Sequence, residues 1–204
     1  MRYATCRFNM VTTTAPHATT RKDRCDQAIL EATRELLAEG GVSALTVEGV
    51  AARSGVAKTT IYRRCKGKDE LALGVLIDMV EQVVTTPDLG DTRAELAAFV
   101  DAAVTILRTT LMGRVMQGLI SDLASDPALA EAFQERVVAL RIAEADRLLA
   151  RGIERGDLRP DTDVELAHEL LFGPVYYRLL LSGAPLDEGL AGRVVDAVMA
   201  AFAA

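Results

Sequence analysis

The chain has no tryptophan and only four tyrosines and five phenylalanines in 204 residues. Any core must therefore be built mainly from aliphatic side chains, and half of the residues are hydrophobic. Cysteine is equally sparse: Cys6, Cys25 and Cys65 are scattered, with no CxxC pair. That pattern suggests reduced thiols in a cytosol rather than a disulfide framework. Arg64 and Lys66 beside Cys65 would favour a thiolate, so a redox switch stands as the alternative to a buried structural thiol there. The two histidines, His17 and His168, give little for acid–base or metal chemistry. Glu165 and His168 match one Glu-x-x-His unit of a di-iron bundle, but such a site needs two. No zinc spacing, nucleophile elbow or phosphate-binding loop occurs. We therefore expect no metal, no cofactor and no enzymatic activity. No run approaches the roughly 18 apolar residues of a membrane span, and the first residues lack the apolar core of a signal peptide. The expectation is a cytoplasmic protein with no membrane partner.

Leu, Ala, Val, Glu and Arg dominate what is present, and no strand-like alternation or internal repeat appears, so the predicted fold class is all-α. The formal charge is -6, from 23 basic and 29 acidic side chains. An acidic chain does not bind nucleic acid indiscriminately. One window differs: from Arg53 through Lys68 there is no acidic residue. The window lies in LTVEGVAARSGVAKTTIYRRCKGK, Leu45 to Lys68. Thr46 can cap a first short helix, because its hydroxyl can accept from a free backbone N–H one turn in. Val47, Val50 and Ala51 give that helix an apolar edge. Ser54-Gly55 ends it, since glycine tolerates the backbone of a sharp reversal. Val56 packs back at the turn, and Ala57 to Arg64 forms a second helix with Ala57, Ile61 and Cys65 inward. Its other side carries Lys58, Thr59, Thr60, Tyr62, Arg63 and Arg64. Cations neutralise phosphates, hydroxyls bond phosphate oxygens or base edges, and a helix fits the major groove. This is the chemistry of a DNA-reading helix-turn-helix. A solvated helix pair would explain the charge but not the turn glycine and the hydroxyls together.

The stretch LTVEGVAARSGVAKTTIYRRCKGKDEL resembles the TetR family of bacterial transcriptional regulators. Leu45-Thr46, Val50-Ala51, Gly55-Val56, Lys58 to Tyr62 and Lys68 to Leu71 carry the match. The run from Leu158 to Asp187, containing GPVYYRLLLSGAPLD, is similar to one TetR-type ligand-binding subgroup. The chain departs at Cys65, where many relatives carry an aromatic, often tryptophan. The resemblance implies an N-terminal three-helix DNA-binding domain and a C-terminal ligand-binding and dimerisation domain, about nine helices in all. It also implies a phosphate contact from Lys68.

Along the chain, residues 1–20 are a Thr-rich tail expected to be disordered, and Met10 is a second candidate start. Residues 21–81 form the DNA-binding domain, with the helix-turn-helix at about 45–64. Arg21 to Glu39 reads as a bracing helix on Ile29, Ala32, Leu36 and Leu37, stopped by Gly40-Gly41. Arg21, Lys22 and Arg24 at its start could touch the DNA backbone. A fourth helix runs from Lys68 to about Thr85, with Leu71, Val75, Met79 and Val83 as one stripe widened by Leu76 and Val80. A helix that apolar packs on more than one side and suits a transmission role. Residues 82–204 form the C-terminal domain. Thr92 with Glu95, and Thr162 with Glu165, read as capping boxes. Gly113 reads as a bend, Asp126-Pro127 as the start of a long helix to about Arg155, and Pro174 as a kink.

The last two helices offer more apolar surface than one bundle needs, with Ala167, Ala191, Ala197 and Ala201 allowing close approach. Pairing them two-fold predicts a homodimer and a pseudo-palindromic double-stranded operator. A small-molecule effector would enter the middle helices. Phe99, Met112, Met116, Phe133 and Phe172 are its candidate walls, and Gln117, Arg141 and Tyr176 its candidate polar contacts, beside Arg114, Gln134, His168, Tyr177 and Arg178. Thr46, Lys58, Thr59, Thr60, Tyr62, Arg63, Arg64 and Lys68 are the candidate DNA contacts. The predicted function is a ligand-responsive DNA-binding regulator, with a repressor preferred to an activator or a co-repressor-dependent regulator, and a helical enzyme or carrier as the remote alternative.

Overall fold

The structure, a computed structural model, describes residues 21–81 and 86–204. The expected tail, with Cys6, Met10 and His17, lies outside the described residues, as do Val83 and Thr85 of the expected fourth helix. Every regular element among the described residues is helical, apart from one isolated bridge pairing Leu158 with Ala203. The all-α expectation holds. The chain divides into two compact units, one holding residues 21–81 with 114–137, the other 86–113 with 138–204.

In the first unit, α1 (Arg21–Ala44) braces α2 (Val47–Ser54) and α4 (Lys68–Glu81), and α2 carries α3 (Lys58–Tyr62). Ile29 and Leu37 of α1, Leu45, Val50 of α2, Ile61 of α3 and Leu71, Val75 and Leu76 of α4 are fully buried. These residues form one aliphatic core, which supplies the burial that a lone helix pair lacks. Gly41 breaks α1 as expected, but a further turn forms beyond it, to Ala44. An ion pair from Arg34 to Asp78 links α1 to α4.

The body of α6 (Leu111–Ser125) and all of α7 (Pro127–Phe133) also belong to this unit. Here α6 comes down on the end of α1: a Cβ on Gly118 would stand 2.7 Å from Cγ2 of Val42, so only glycine permits the approach. Arg114 donates to the Ala38 carbonyl at 3.3 Å. Asp126 caps α7 by accepting from the N–H groups of Ala128 and Leu129, with Pro127 in the first turn, as its sequence led us to expect. The expected long helix then loosens into a π-helical turn, Gln134–Val138, before continuing as α8 (Ala139–Arg155).

In the second unit, α10 (Leu190–Phe202) lies against α5 (Thr92–Thr109) and α9 (Val164–Tyr177), and α8 packs on both α5 and α9. Leu96, Val100, Leu148, Leu149, Leu171, Val175, Val195 and Val198 form its dry interior. Both capping boxes are displaced by one residue. Asp91 and Asp163 are the caps, accepting from Ala94 N at 3.0 Å and Leu166 N at 3.1 Å. The threonines are engaged elsewhere, Thr92 donating to Asp157 at 2.7 Å and Thr162 to the Arg159 carbonyl at 2.6 Å. The α5–α6 break falls at Thr110, whose backbone is extended, and Gly113 lies inside α6. At Pro174 α9 continues, then widens into a second π-helical turn, Arg178–Ser182, closed by Gly183 N donating to the Arg178 carbonyl. A proline removes one helical donor, and the backbone satisfies itself at a different pitch just downstream. Cys65 corrects the reduced-thiol expectation: it is buried and disulfide-bonded, while Cys25 is a free thiol.

Candidate nucleic-acid interface

The geometry begins at Thr46. Its hydroxyl accepts from Gly49 N at 3.0 Å, fixing the first turn of α2. Gly55 closes that helix with φ +69°, its N–H donating to the Ala51 carbonyl at 3.1 Å. A residue with a Cβ is strained in that conformation, so the reversal depends on the glycine. The Ser54 hydroxyl accepts from Val56 N at 3.2 Å and steadies the turn. Ile61 and Cys65 then anchor α3, both buried. Ala57, expected to face inward, is exposed, because the chain has not yet turned into the helix there.

With Ile61 inward, the opposite side of α3 faces solvent. Lys58, Thr59, Tyr62 and Arg63 are exposed, Tyr62 to 52%. Thr60 is half-buried, as is Lys68 in the first turn of α4. An exposed tyrosine on a five-residue helix contributes nothing to the core. Lys58 reaches back to Glu48 of α2 at 3.0 Å, and its hydrogen bond holds the Glu48 carboxyl below the ordinary range. Both partners are exposed, so the pair is weak and can be exchanged for a phosphate.

Two arginines in the acid-free window turn away. Arg53 pairs with Glu39 of α1. Arg64, one of the candidate DNA contacts, is folded inward onto Asp26 of α1 and donates to the Thr60 carbonyl at 3.2 Å. Asp26 is only 4% exposed, so the pair holds the end of α3 rather than facing a ligand. Arg63 points outward. Between α1 and the turn lies a groove of about 750 Å³, lined by Lys22, Gly55, Val56, Thr60, Arg63 and Arg64. Its cationic rim brings Lys22 beside α3, a meeting that only the three-dimensional packing of α1 reveals. In the sequence Lys22 is marked only by its charge.

Four of the candidate effector residues meet in the second unit. Phe99 and Phe172 stack edge-on at 5.3 Å, Tyr176 lies 6.3 Å from Phe172, and the Arg141 guanidinium stands over the Phe172 ring at 5.0 Å. His168 joins them, 5.4 Å from Phe172. Met112 also belongs to this unit and is buried. Met116, Gln117 and Phe133 belong to the first unit. Arg178 is engaged with Asp187 at 3.2 Å and with the Pro185 carbonyl. Among the described residues no three His, Cys, Asp or Glu side chains converge as metal ligands would.

Comparison with known proteins bears on both units. Residues 29–75 match the family described as bacterial regulatory proteins, tetR family, and residues 86–198 match the tetracyclin repressor-like C-terminal domain. The chain is 34% identical over 182 residues to YdeS of Bacillus subtilis (strain 168), an uncharacterized HTH-type transcriptional regulator, covering 89% of this chain and 90% of YdeS. It is 30% identical to the DNA-binding transcriptional repressor TetR of Mycobacteroides abscessus, over 84% of this chain and 90% of that one. Among solved structures, the TetR family transcription regulator SCO0332 superposes with a TM-score of 0.73 at 36% identity, over 87% of this chain and 97% of that one.

Proposed function

Because the chain belongs to the TetR family of bacterial transcriptional regulators, we propose that it is a cytoplasmic repressor that binds a pseudo-palindromic operator as a homodimer and leaves it on binding a small, largely apolar effector. The observation that carries this reading is the outward face of α3. A helix pinned by buried Ile61 presents Lys58, Thr59, Tyr62 and Arg63 to solvent in a stretch without acidic residues. That face has the size and chemistry of a major-groove reader. Thr59, Thr60 and Tyr62 read base edges or hold phosphates. Lys58 exchanges Glu48 for a phosphate, and Lys68, in the first turn of α4, holds another with help from the helix N-terminus. Thr46, exposed at the start of α2, can donate its hydroxyl hydrogen to the backbone while still capping the helix. Lys22 and Arg63 flank the groove beside α3, where a further stretch of backbone can lie.

Dimerisation has its own support. Leu166, Leu170 and Tyr177 of α9 and Leu181 just beyond it are large, apolar and exposed, and they recur at helical spacing along one side. A single short helix holds too few contacts to discriminate a sequence. Two held about one DNA turn apart, ~34 Å, combine weak half-sites into specific binding. The effector acts by preferring the conformation in which that spacing is wrong. An activator or co-repressor-dependent regulator would share all of this and differ only in the sign of the effector's effect.

A gel shift with the gene's own upstream region, at several salt concentrations, tests the reading. Tyr62→Ala and Lys58→Ala should each weaken the shift while helical signal and oligomer size stay unchanged. Unaltered binding by both variants would remove the reading role from α3. Release of the shifted operator by a screened metabolite distinguishes repressor from co-repressor behaviour.

A further inference from the structure

Resting on that reading of the second unit as effector-binding, we propose that the effector is an amphipathic acid, an apolar ring or chain ending in a carboxylate or a similar anion, with Arg141 as its anchor. The first reason is an exception. Every other arginine of this unit is ion-paired with an aspartate or glutamate. Among the described residues Arg141 has no carboxylate partner and no hydrogen bond; it stands over the Phe172 ring instead. An arginine stacked on an aromatic face keeps its in-plane N–H fork free, and that fork matches the two oxygens of a carboxylate.

The second reason is the neighbour. His168 lies one turn before Phe172 on the same side of α9, and its Nε2 is buried with no hydrogen-bond partner. A buried nitrogen without a partner is costly, and a ligand oxygen beside Arg141 would satisfy it as an acceptor for an imidazole N–H. The groups that bear on His168 electrostatically are Asp146, Arg141 and Glu169, and burial holds its pKa below the ordinary value. The third is the apolar surround. Phe99, Phe172 and Tyr176 form a continuous aromatic set, the counterpart of a ring or chain attached to the acid. An aromatic set alone would not discriminate charge; Arg141 does.

A matched probe pair isolates the charge. 1-Anilinonaphthalene-8-sulfonate and N-phenyl-1-naphthylamine share their rings, and only the first carries an anion. Titrated by fluorescence into the full-length protein, the sulfonate should bind about tenfold tighter than the neutral amine. Arg141→Met, which keeps an apolar stem and breaks no ion pair, should equalise the two, and Arg141→Glu should reverse the order. Equal affinities in the unsubstituted protein, or a sulfonate preference that survives Arg141→Met, would overturn the acid anchor and leave an apolar effector site standing. Binding of neither probe would remove the effector site with it. Unchanged helical signal in both variants separates these outcomes from misfolding.

Discussion

Arg63 and Arg64 are adjacent, carry the same charge and occupy opposite environments. Arg64 is shut against Asp26 and Arg63 faces water. Removing one partner of a buried pair leaves the other charge unpaired, so Arg64→Ala should cost about 3 kcal/mol in urea unfolding. Arg63→Ala should leave the unfolding midpoint unchanged. It should instead weaken operator binding evenly across related sequences and flatten the dependence on salt by about one released ion. If the two variants behave alike in both assays, Arg64 is not a brace. Glu48 offers the complementary test. Its carboxylate reaches Lys58 of α3, and Lys58 must leave it to touch DNA. Glu48→Gln should therefore tighten operator binding about threefold at low salt, and the gain should vanish as salt rises. Weaker binding by that variant would mean that Glu48 positions Lys58 rather than competing for it.

Between residue and molecule, the elements show where the sequence is readable and where it is not. Helix positions follow from apolar spacing, and the short helices around Gly55 could be placed because a turn glycine and a capping threonine are local signals. The caps at α5 and α9 could not. Thr92 and Glu95 have the spacing of a capping box, yet Asp91 caps, because which of two adjacent cap residues has the entering backbone geometry depends on what packs behind it. Glu95 is instead fully buried and gripped by Arg151 at 2.6 Å and Arg155 at 2.9 Å from α8, with the N–H groups of Leu89 and Gly90 donating to it as well. The hydrogen bond from Arg155 is the main cause that holds its carboxyl down at about 2, from 4.5. A lowered carboxyl stabilises the fold above the unfolded value and stops doing so as it becomes protonated. This contribution, about 3 kcal/mol, should be intact at neutral pH and fade as pH falls from 4.5 toward 2. Urea titrations over that range should show the loss, and Glu95→Gln should remove most of its pH dependence while lowering stability at pH 7. The effector cluster was only half legible for a related reason. Spacing tells which face of a helix is apolar, not which helix it will meet, and so Phe99 and Phe172 come together while Met116 and Phe133 fall in the other unit.

At the scale of the whole molecule, the question is how a five-residue helix achieves specificity. One α3, with Arg63 at its C-terminal end, offers four exposed polar side chains, enough for a few base and phosphate contacts and too few to single out a site in a genome. Two copies fixed in register multiply their affinities, so operator recognition must depend on residues far from DNA that do no more than hold the copies together. The exposed stripe of Leu166, Leu170, Tyr177 and Leu181 is the surface available for that, since water is a poor partner for four large apolar groups in a row, Leu181 being 78% exposed. Gly173 lies within the stripe and has no neighbour within 4 Å of where a Cβ would be, which leaves room for a second helix to approach. Leu170→Arg places a charge in the middle of that contact, at a side chain that is already 41% exposed. The variant should sediment as a monomer with unchanged helical signal, and its operator affinity should fall at least a hundredfold, although every residue of α3 is intact. A Leu170→Arg protein that remains dimeric would place the pairing surface elsewhere. One that is monomeric yet binds the full operator as tightly as before would mean that a single copy of α3 is enough, and the two-site account of recognition would be wrong.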